Sequence, residues 1–249
     1  MKFIKKYKSL NFDKRATNYQ IKHVIIHYTA MKANDEALKY LCSKKNKVSA
    51  HFLISKFGDI YSLVDIKNRA WHAGISNWKG DTDINSSSIG IEMDNSGHHL
   101  DFENFTIAQI ESLTKLLDFL IQKYEIKIEN ILGHSDIAPY RKIDPGEKFP
   151  WKALKELFPK NKNKKNKLNL DMYVDDYFIR KSINTNKEKS LHILSKIGYE
   201  IQPAKNNELN YLALLKAYQM HHRSRLVSGK LDLETYNLLI NDFKEILTI

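Results

Sequence analysis

Residues 133–146 read Gly-His-Ser-Asp-Ile-Ala-Pro-Tyr-Arg-Lys-Ile-Asp-Pro-Gly, with an imidazole at His134 and a carboxylate ten residues later at Asp144. Arg141 and Lys142 stand between them. Pro139, Pro145 and Gly146 are poor helix continuers and favour turns. The segment is therefore expected to be a loop that doubles back, bringing His134 and Asp144 to one point with Lys142 beside them. Imidazole and carboxylate are both good zinc ligands, and a hydrolytic zinc takes about three protein ligands while keeping one position open for water. A third ligand must then come from elsewhere in the chain.

The elements that position this loop follow from apolar periodicity. Residues 22–28 read as a buried, β-branched strand with His27 near its end. Residues 35–43 form a helical pattern that places Cys42 as a small buried hydrophobe. Residues 50–55 and 60–65 read as strands joined by a hairpin turn at Phe57-Gly58-Asp59. A long loop over 69–87 follows, carrying Trp71, His72 and Trp78. A strand over 88–94 alternates Ile89, Ile91 and Met93 against Gly90, Glu92 and Asp94. Thr106 with Gln109 forms a capping box for a helix whose apolar stripe is Ile107, Ile110, Leu113, Leu117, Leu120, Ile121 and Tyr124. Residues 130–134 give one more short strand, and 151–158 a closing helix. The fold class is α/β: a mixed central sheet flanked by helices, plus a small C-terminal three-helix domain over 187–197, 208–221 and 232–246. Sites commonly gather at strand ends, on loops held by a rigid scaffold.

Composition bounds the rest. The 249 residues, 42% hydrophobic, suffice for one medium and one small domain with an ordinary core. A single cysteine excludes an intramolecular disulfide framework and any multi-cysteine zinc site. The formal charge of +11 concentrates at two edges: residues 1–15 hold six basic residues against one acid, and 160–167 hold five lysines. These read as a solvated arm and a solvated linker. Aromatics are not interleaved with the bases as in single-strand nucleic-acid binders, so no nucleic-acid partner is expected. No run of about twenty apolar residues is present, so no membrane span is expected. The boundaries inferred are 1–159 for the first domain with a basic lead-in over 1–20, 160–170 for the linker, and 171–249 for the helical domain.

Four stretches, in order, resemble the zinc-dependent N-acetylmuramoyl-L-alanine amidases of the AmpD/AmiD type. They are Val24-Ile25-Ile26-His27-Tyr28-Thr29, Arg69-Ala70-Trp71-His72-Ala73-Gly74, Ser88-Ile89-Gly90-Ile91-Glu92 and the 133–146 loop, and together they span residues 20–158. The C-terminal pattern Leu194–Tyr199, Ala217-Tyr218-Gln219 and Gly229–Thr235 is similar to the small helical peptidoglycan-binding domain of wall hydrolases, with Tyr218 where Phe is usual. The resemblance implies one Zn2+ per chain on His27, His134 and Asp144. It implies hydrolysis of the amide joining N-acetylmuramic acid, including its 1,6-anhydro form, to L-alanine. Glu92 matches the base, with Asp94 on the same strand face as its rival, and Lys142 the oxyanion stabiliser. Gly90 is expected to leave room for substrate.

The substrate partner implied is peptidoglycan or muropeptide, with Tyr28, Trp71, Asn85 and Arg141 as contacts. An aromatic can pack on sugar or alanine methyl, and Arg141 suits a stem-peptide carboxylate. His51 reads as a structural imidazole near the site, and His72 as equally a contact, an outer support or plain structure. His23 lies too far along its strand to share a ligand role with His27. His98-His99 and His221-His222 read as solvated pairs. The C-terminal domain reads as a tether that raises local concentration on the wall. The basic start without an apolar stretch points to the cytoplasm, whereas the wall-binding pattern points to the cell envelope. The rivals to an enzyme are a non-catalytic recognition module on the same fold and, on charge alone, a nucleic-acid binder.

Overall fold

The computed structural model describes residues 1–16, 19–158 and 183–247. In chain order the first part contains β1 (Phe12–Lys14), β2 (His23–Tyr28), α1 (Asn34–Cys42), β3 (Phe52–Ile54), β4 (Ile60–Ser62) and β5 (Asn68–Ala70). It continues with α2 (Ile84–Ser87), β6 (Ser88–Met93), α3 (Ile107–Tyr124), β7 (Ile131–Gly133), α4 (His134–Ile137) and α5 (Trp151–Leu157). The second part contains α6 (Ile183–Ile197), the one-turn α7 (Gln202–Lys205), α8 (Glu208–His222) and α9 (Leu233–Leu247). The linker expected over 160–170 lies outside the described residues.

Five strands form one mixed sheet in the order β4-β3-β6-β2-β7. Strands β3, β6, β2 and β7 run parallel, and β4 closes the edge antiparallel. Strand alternation assigns the two faces. Val24, Ile26, Ile89, Ile91, Met93 and Ile131 pack on Leu113, Leu116, Leu117 and Leu120 of α3 and on Trp151 and Leu154 of α5. On the opposite face Ile25 and Leu132 join Trp78, Ile84 and Ile137 in a cluster that continues into Leu194, Tyr199, Leu214, Leu215 and Tyr218. The C-terminal helices are thus the third layer of the sandwich, sharing one apolar cluster with the sheet.

The capping box forms as the sequence indicates: Gln109 donates its amide to Thr106 Oγ1 at 3.1 Å, and the Thr106 amide donates to Gln109 Oε1 at 3.0 Å. Thr106 also donates to the Lys56 carbonyl and Gln109 to that of Asp94, so these two side chains occupy the sheet side of the first turn. Ile107, expected in the core stripe, is consequently turned to solvent at 79% exposure. The 69–87 stretch is not wholly loop, since it begins in β5 and ends in α2.

The basic lead-in is not a solvated arm. β1 pairs antiparallel with β5, Ile4 bridges Tyr61, and Ser9 and Asn11 are buried. Arg15 donates to the carbonyls of Ile66, Asn85, Ser86 and Ser88, satisfying the backbone where α2 meets β6. A guanidinium offers five donors in a fixed fork, which suits this converging set of carbonyls. Cys42 is half-buried at the edge of the cluster formed by Ala37, Leu38, Leu41, Leu53 and Leu63. Among the described residues, no helix is long and apolar enough to cross a membrane.

Candidate active site

Parallel pairing brings the ends of three strands together. His27 on β2 is in register with Glu92 on β6, and Gly133, which ends β7, is in register with Ile26. His134 follows immediately as the first residue of α4. The loop after α4 doubles back as its prolines suggest, and the Ser135 amide donates to the Asp144 carbonyl at 2.9 Å. Gly133 permits this closure, because a Cβ there would lie 2.8 Å from Pro145 Cδ. His134 Nδ1 consequently sits 3.0 Å from Asp144 Oδ2, and His27 Nδ1 sits 3.1 Å from the same oxygen and 3.0 Å from His134 Nδ1. All three residues are buried, and their ligand atoms lie within 4.8 Å of one another, a group that could hold a metal ion.

Proton placement tests that reading. His134 Nε2 lies 3.0 Å from the Ala73 carbonyl, which only accepts, so Nε2 carries the hydrogen and Nδ1 presents a lone pair. Ser88 Oγ donates to the Ile84 carbonyl and so accepts from His72 Nε2 at 3.2 Å. His72 Nδ1 is then an acceptor for His27 Nε2 at 3.1 Å, which leaves His27 Nδ1 as a second lone pair. Burial, then the neighbouring His134, lowers His27 to about 4 and keeps it neutral. Two imidazole lone pairs and one carboxylate oxygen thus face one another with no proton between them. A divalent cation fits this donor set, and each imidazole is oriented through its far nitrogen as metal-binding histidines usually are.

A cleft of about 330 Å³ opens over this point, lined by His27, Tyr28, Trp71, His72, Glu92, His99, His134, Arg141, Lys142 and Asp144 among others. Glu92 Oε2 is buried without a hydrogen-bond partner in the protein. Burial, and then the charge of Asp144, push Glu92 well above the ordinary carboxyl range, while Lys142 opposes them. Asp94, its rival on sequence, does not line the cleft: its Oδ2 accepts the Lys56 amide.

The expected substrate contacts divide. Tyr28 and Trp71 line the cleft, with Tyr28 Oη 3.0 Å from His98 Nδ1 and Trp71 Nε1 donating to Asp13. Arg141 also lines it, yet its Nη2 donates to the carbonyls of Ala73 and Ile75 and braces the opposite wall. Asn85 lies behind the wall rather than in it, its Oδ1 accepting the amides of His72 and Ala73. The room at Gly90 is taken by protein, since a Cβ there would stand 2.4 Å from the His72 ring. Gly90→Ala should therefore displace His72, lowering stability by about 1–3 kcal/mol in denaturant unfolding through overpacking. It should also weaken metal binding, because His72 orients His27.

Histidines outside the ligand set are more engaged than their sequence context suggests. His51 is fully buried and accepts the Gly90 amide at Nδ1, the structural role expected of it. His98 is not solvated: it contacts Tyr28 and Glu147 and stacks on Phe102, while His99 is exposed on the rim. The 221–222 pair is not solvated either, with His221 on Asp136 at 2.7 Å and His222 on Asp242 at 3.0 Å. Asp136 is fully buried two residues after His134, and no sequence pattern singles it out. Its only local signal was a carboxylate inside the histidine-bearing loop.

Comparison with known proteins agrees with this geometry. The N-acetylmuramoyl-L-alanine amidase family profile matches residues 17–147. The chain is 35% identical to N-acetylmuramoyl-L-alanine amidase AmiD of Escherichia coli K12, over 87% of this chain and 80% of that protein. It is 36% identical to 1,6-anhydro-N-acetylmuramyl-L-alanine amidase AmpD of Haemophilus influenzae, over 57% of this chain and 85% of that protein. A solved complex of E. coli AmiD with anhydro-N-acetylmuramic acid-L-Ala-D-gamma-Glu-L-Lys superposes with a TM-score of 0.76 at 32% identity, covering 93% of both chains. Strand-end histidines, the folded-back aspartate loop and likeness along nearly the whole length lead to one assignment: this chain belongs to the N-acetylmuramoyl-L-alanine amidase family.

Proposed function

We propose that the chain hydrolyses the amide bond between N-acetylmuramic acid, including its 1,6-anhydro form, and L-alanine in peptidoglycan or muropeptides. The observation that carries this reading is the convergence of His27 Nδ1, His134 Nδ1 and Asp144 Oδ2 beside the unpartnered Glu92 Oε2 in one cleft. His27, His134 and Asp144 would hold one zinc per chain. Zinc there would supply Lewis acidity, polarising the scissile carbonyl and lowering the pKa of water toward about 7. Glu92 takes the proton of the attacking water and returns it to the leaving amine of L-alanine, a task suited to a carboxyl that burial raises above its ordinary range. Lys142 faces the oxygen on which charge develops. Tyr28, Trp71 and Arg141 frame the substrate, with Arg141 also holding the loop over 72–75.

The domain reading, with catalysis in 1–159, a linker over 160–170 and a peptidoglycan-binding-like helical part over 171–249, belongs to the same proposal. The likeness to E. coli AmiD across most of the chain supports it. Mass spectrometry of digests of a soluble anhydromuropeptide tests the activity. Free stem peptide with an N-terminal L-alanine, together with saccharide bearing a free lactyl carboxylate, is the expected product pair. Intact muropeptide after incubation with zinc-loaded protein would leave only a recognition module.

A further inference from the structure

We infer that the C-terminal helices hold the metal ligand His134 in position: Tyr199 and His221 grip Asp136, and Asp136 fixes the backbone from which His134 projects. This rests on His134 being a ligand. Asp136 is fully buried. Its Oδ2 accepts the Gly133 amide at 2.7 Å and His221 Nδ1 at 2.7 Å, while Oδ1 accepts the Tyr199 hydroxyl at 2.6 Å. Two of these three donors come from the helical part, more than sixty residues away in sequence.

The need for such a clamp follows from local structure. α4 is four residues long, too short to hold its own geometry, because helix nucleation is costly and its gain comes with length. Gly133 before it adds backbone freedom. Asp136 closes this short turn by taking the Gly133 amide, and the helical part fixes the direction of that carboxylate. His221 is itself held by stacking on Trp151 at 3.9 Å and 12°, and Tyr199 by an edge contact with Trp78 at 4.9 Å.

The same segment also grips the stretch that follows Ala73. Lys79 donates its amide to the Gly198 carbonyl at 2.8 Å, and Asn77 Nδ2 donates to Glu200 Oε2 at 3.1 Å. Tyr140 donates to the Glu200 carbonyl from within the ligand loop. Residues 198–200 therefore tie together the stretch after Ala73, whose carbonyl faces His134 Nε2, and the loop that carries His134 and Asp144. Tyr199, His221 and Asp136 are positioning residues: none lines the cleft. A mere wall tether would leave the metal site and soluble substrates untouched, and this arrangement does not.

The test uses the full chain carrying Tyr199→Phe and His221→Phe, which remove both donors and keep the ring contacts. Zinc affinity is measured by competition with a chromophoric chelator, and site geometry from the visible spectrum of the cobalt(II)-substituted protein. Zinc affinity should fall about 10- to 100-fold, the range seen when an outer partner of a metal ligand is lost. The cobalt bands should shift, and kcat on a soluble muropeptide should fall with KM within about twofold. Arg225→Ala, on an exposed guanidinium paired with Glu234, should change none of these.

Should the double variant fail to fold, Tyr199→Phe alone carries the same measurements, since it deletes one oxygen. Wild-type zinc affinity and an unshifted cobalt spectrum in the folded variant would overturn the coupling alone. A wild-type chain that binds no zinc would overturn the ligand assignment beneath it, and the coupling with it.

Discussion

Asp144→Ala should abolish zinc retention and lower kcat/KM by at least about 1,000-fold, well beyond the 10- to 100-fold typical of losing an outer partner. Asp144 is the sole anionic member of the set, and its Oδ2 stands 3.0 and 3.1 Å from the two imidazole nitrogens. Removing it leaves two neutral donors and no charge to balance the cation. The expected readout is metal content after dialysis, near one zinc per wild-type chain and near zero for the variant. The loop around it should persist, because the Ser135 amide binds the Asp144 backbone carbonyl rather than its side chain. A variant that retains zinc at wild-type affinity would show that the ion sits elsewhere.

Glu92→Gln should separate chemistry from metal binding. It keeps shape and removes the proton acceptor, so kcat should fall about 100- to 10,000-fold, the usual worth of general acid–base catalysis. Zinc content should stay at the wild-type level, since Glu92 is outside the ligand group. The same variant should change stability in the opposite direction. A carboxyl whose folded pKa is raised contributes stability that is fully present below its unfolded pKa and lost as pH rises through the folded value. Burial and the Asp144 charge raise Glu92 in that sense. The metal-free wild type should therefore lose stability as pH rises above the ordinary carboxyl range, and Glu92→Gln should flatten that slope. Denaturant midpoints of the two metal-free proteins across pH 4 to 8 give the comparison, and parallel profiles would contradict it.

Much of the site could be read from residue order because its chemistry is compressed into short stretches. The prolines of the 133–146 loop imply a reversal, and the reversal brings His134 to Asp144. Alternation along 88–94 puts Glu92 on the face opposite the α3 core, and parallel pairing with β2 sets it beside His27. Gly90 shows the limit of such reading. An open position beside a candidate base suggests space for substrate, but the space is filled by the His72 ring from a loop eighteen residues upstream. Asn85 and Arg141 read as substrate contacts, and each also engages backbone. Their partners are backbone groups of residues 72–75, which no spacing rule encodes.

The larger shortfall concerns long-range contacts. A run of lysines looks solvated until Arg15 is seen at four carbonyls, and paired histidines look solvated until Asp136 and Asp242 face them. Periodicity gives the last two long C-terminal helices to within a residue, and the first ends as expected but begins at Ile183 rather than 187, yet periodicity cannot say which face meets which neighbour. Ile25 and Leu132 on the sheet needed a covering layer, and the helices supply it. That packing makes the C-terminal helices a covering layer on this face of the sheet.

Anomalous diffraction at the zinc edge, from crystals of the zinc-loaded chain, tests the central claim most directly. One strong peak per chain is predicted, bonded to His27 Nδ1, His134 Nδ1 and an Asp144 oxygen at about 2.0–2.2 Å, with the remaining position open toward Glu92. A peak bound by other residues, or none at full zinc loading, would contradict the account.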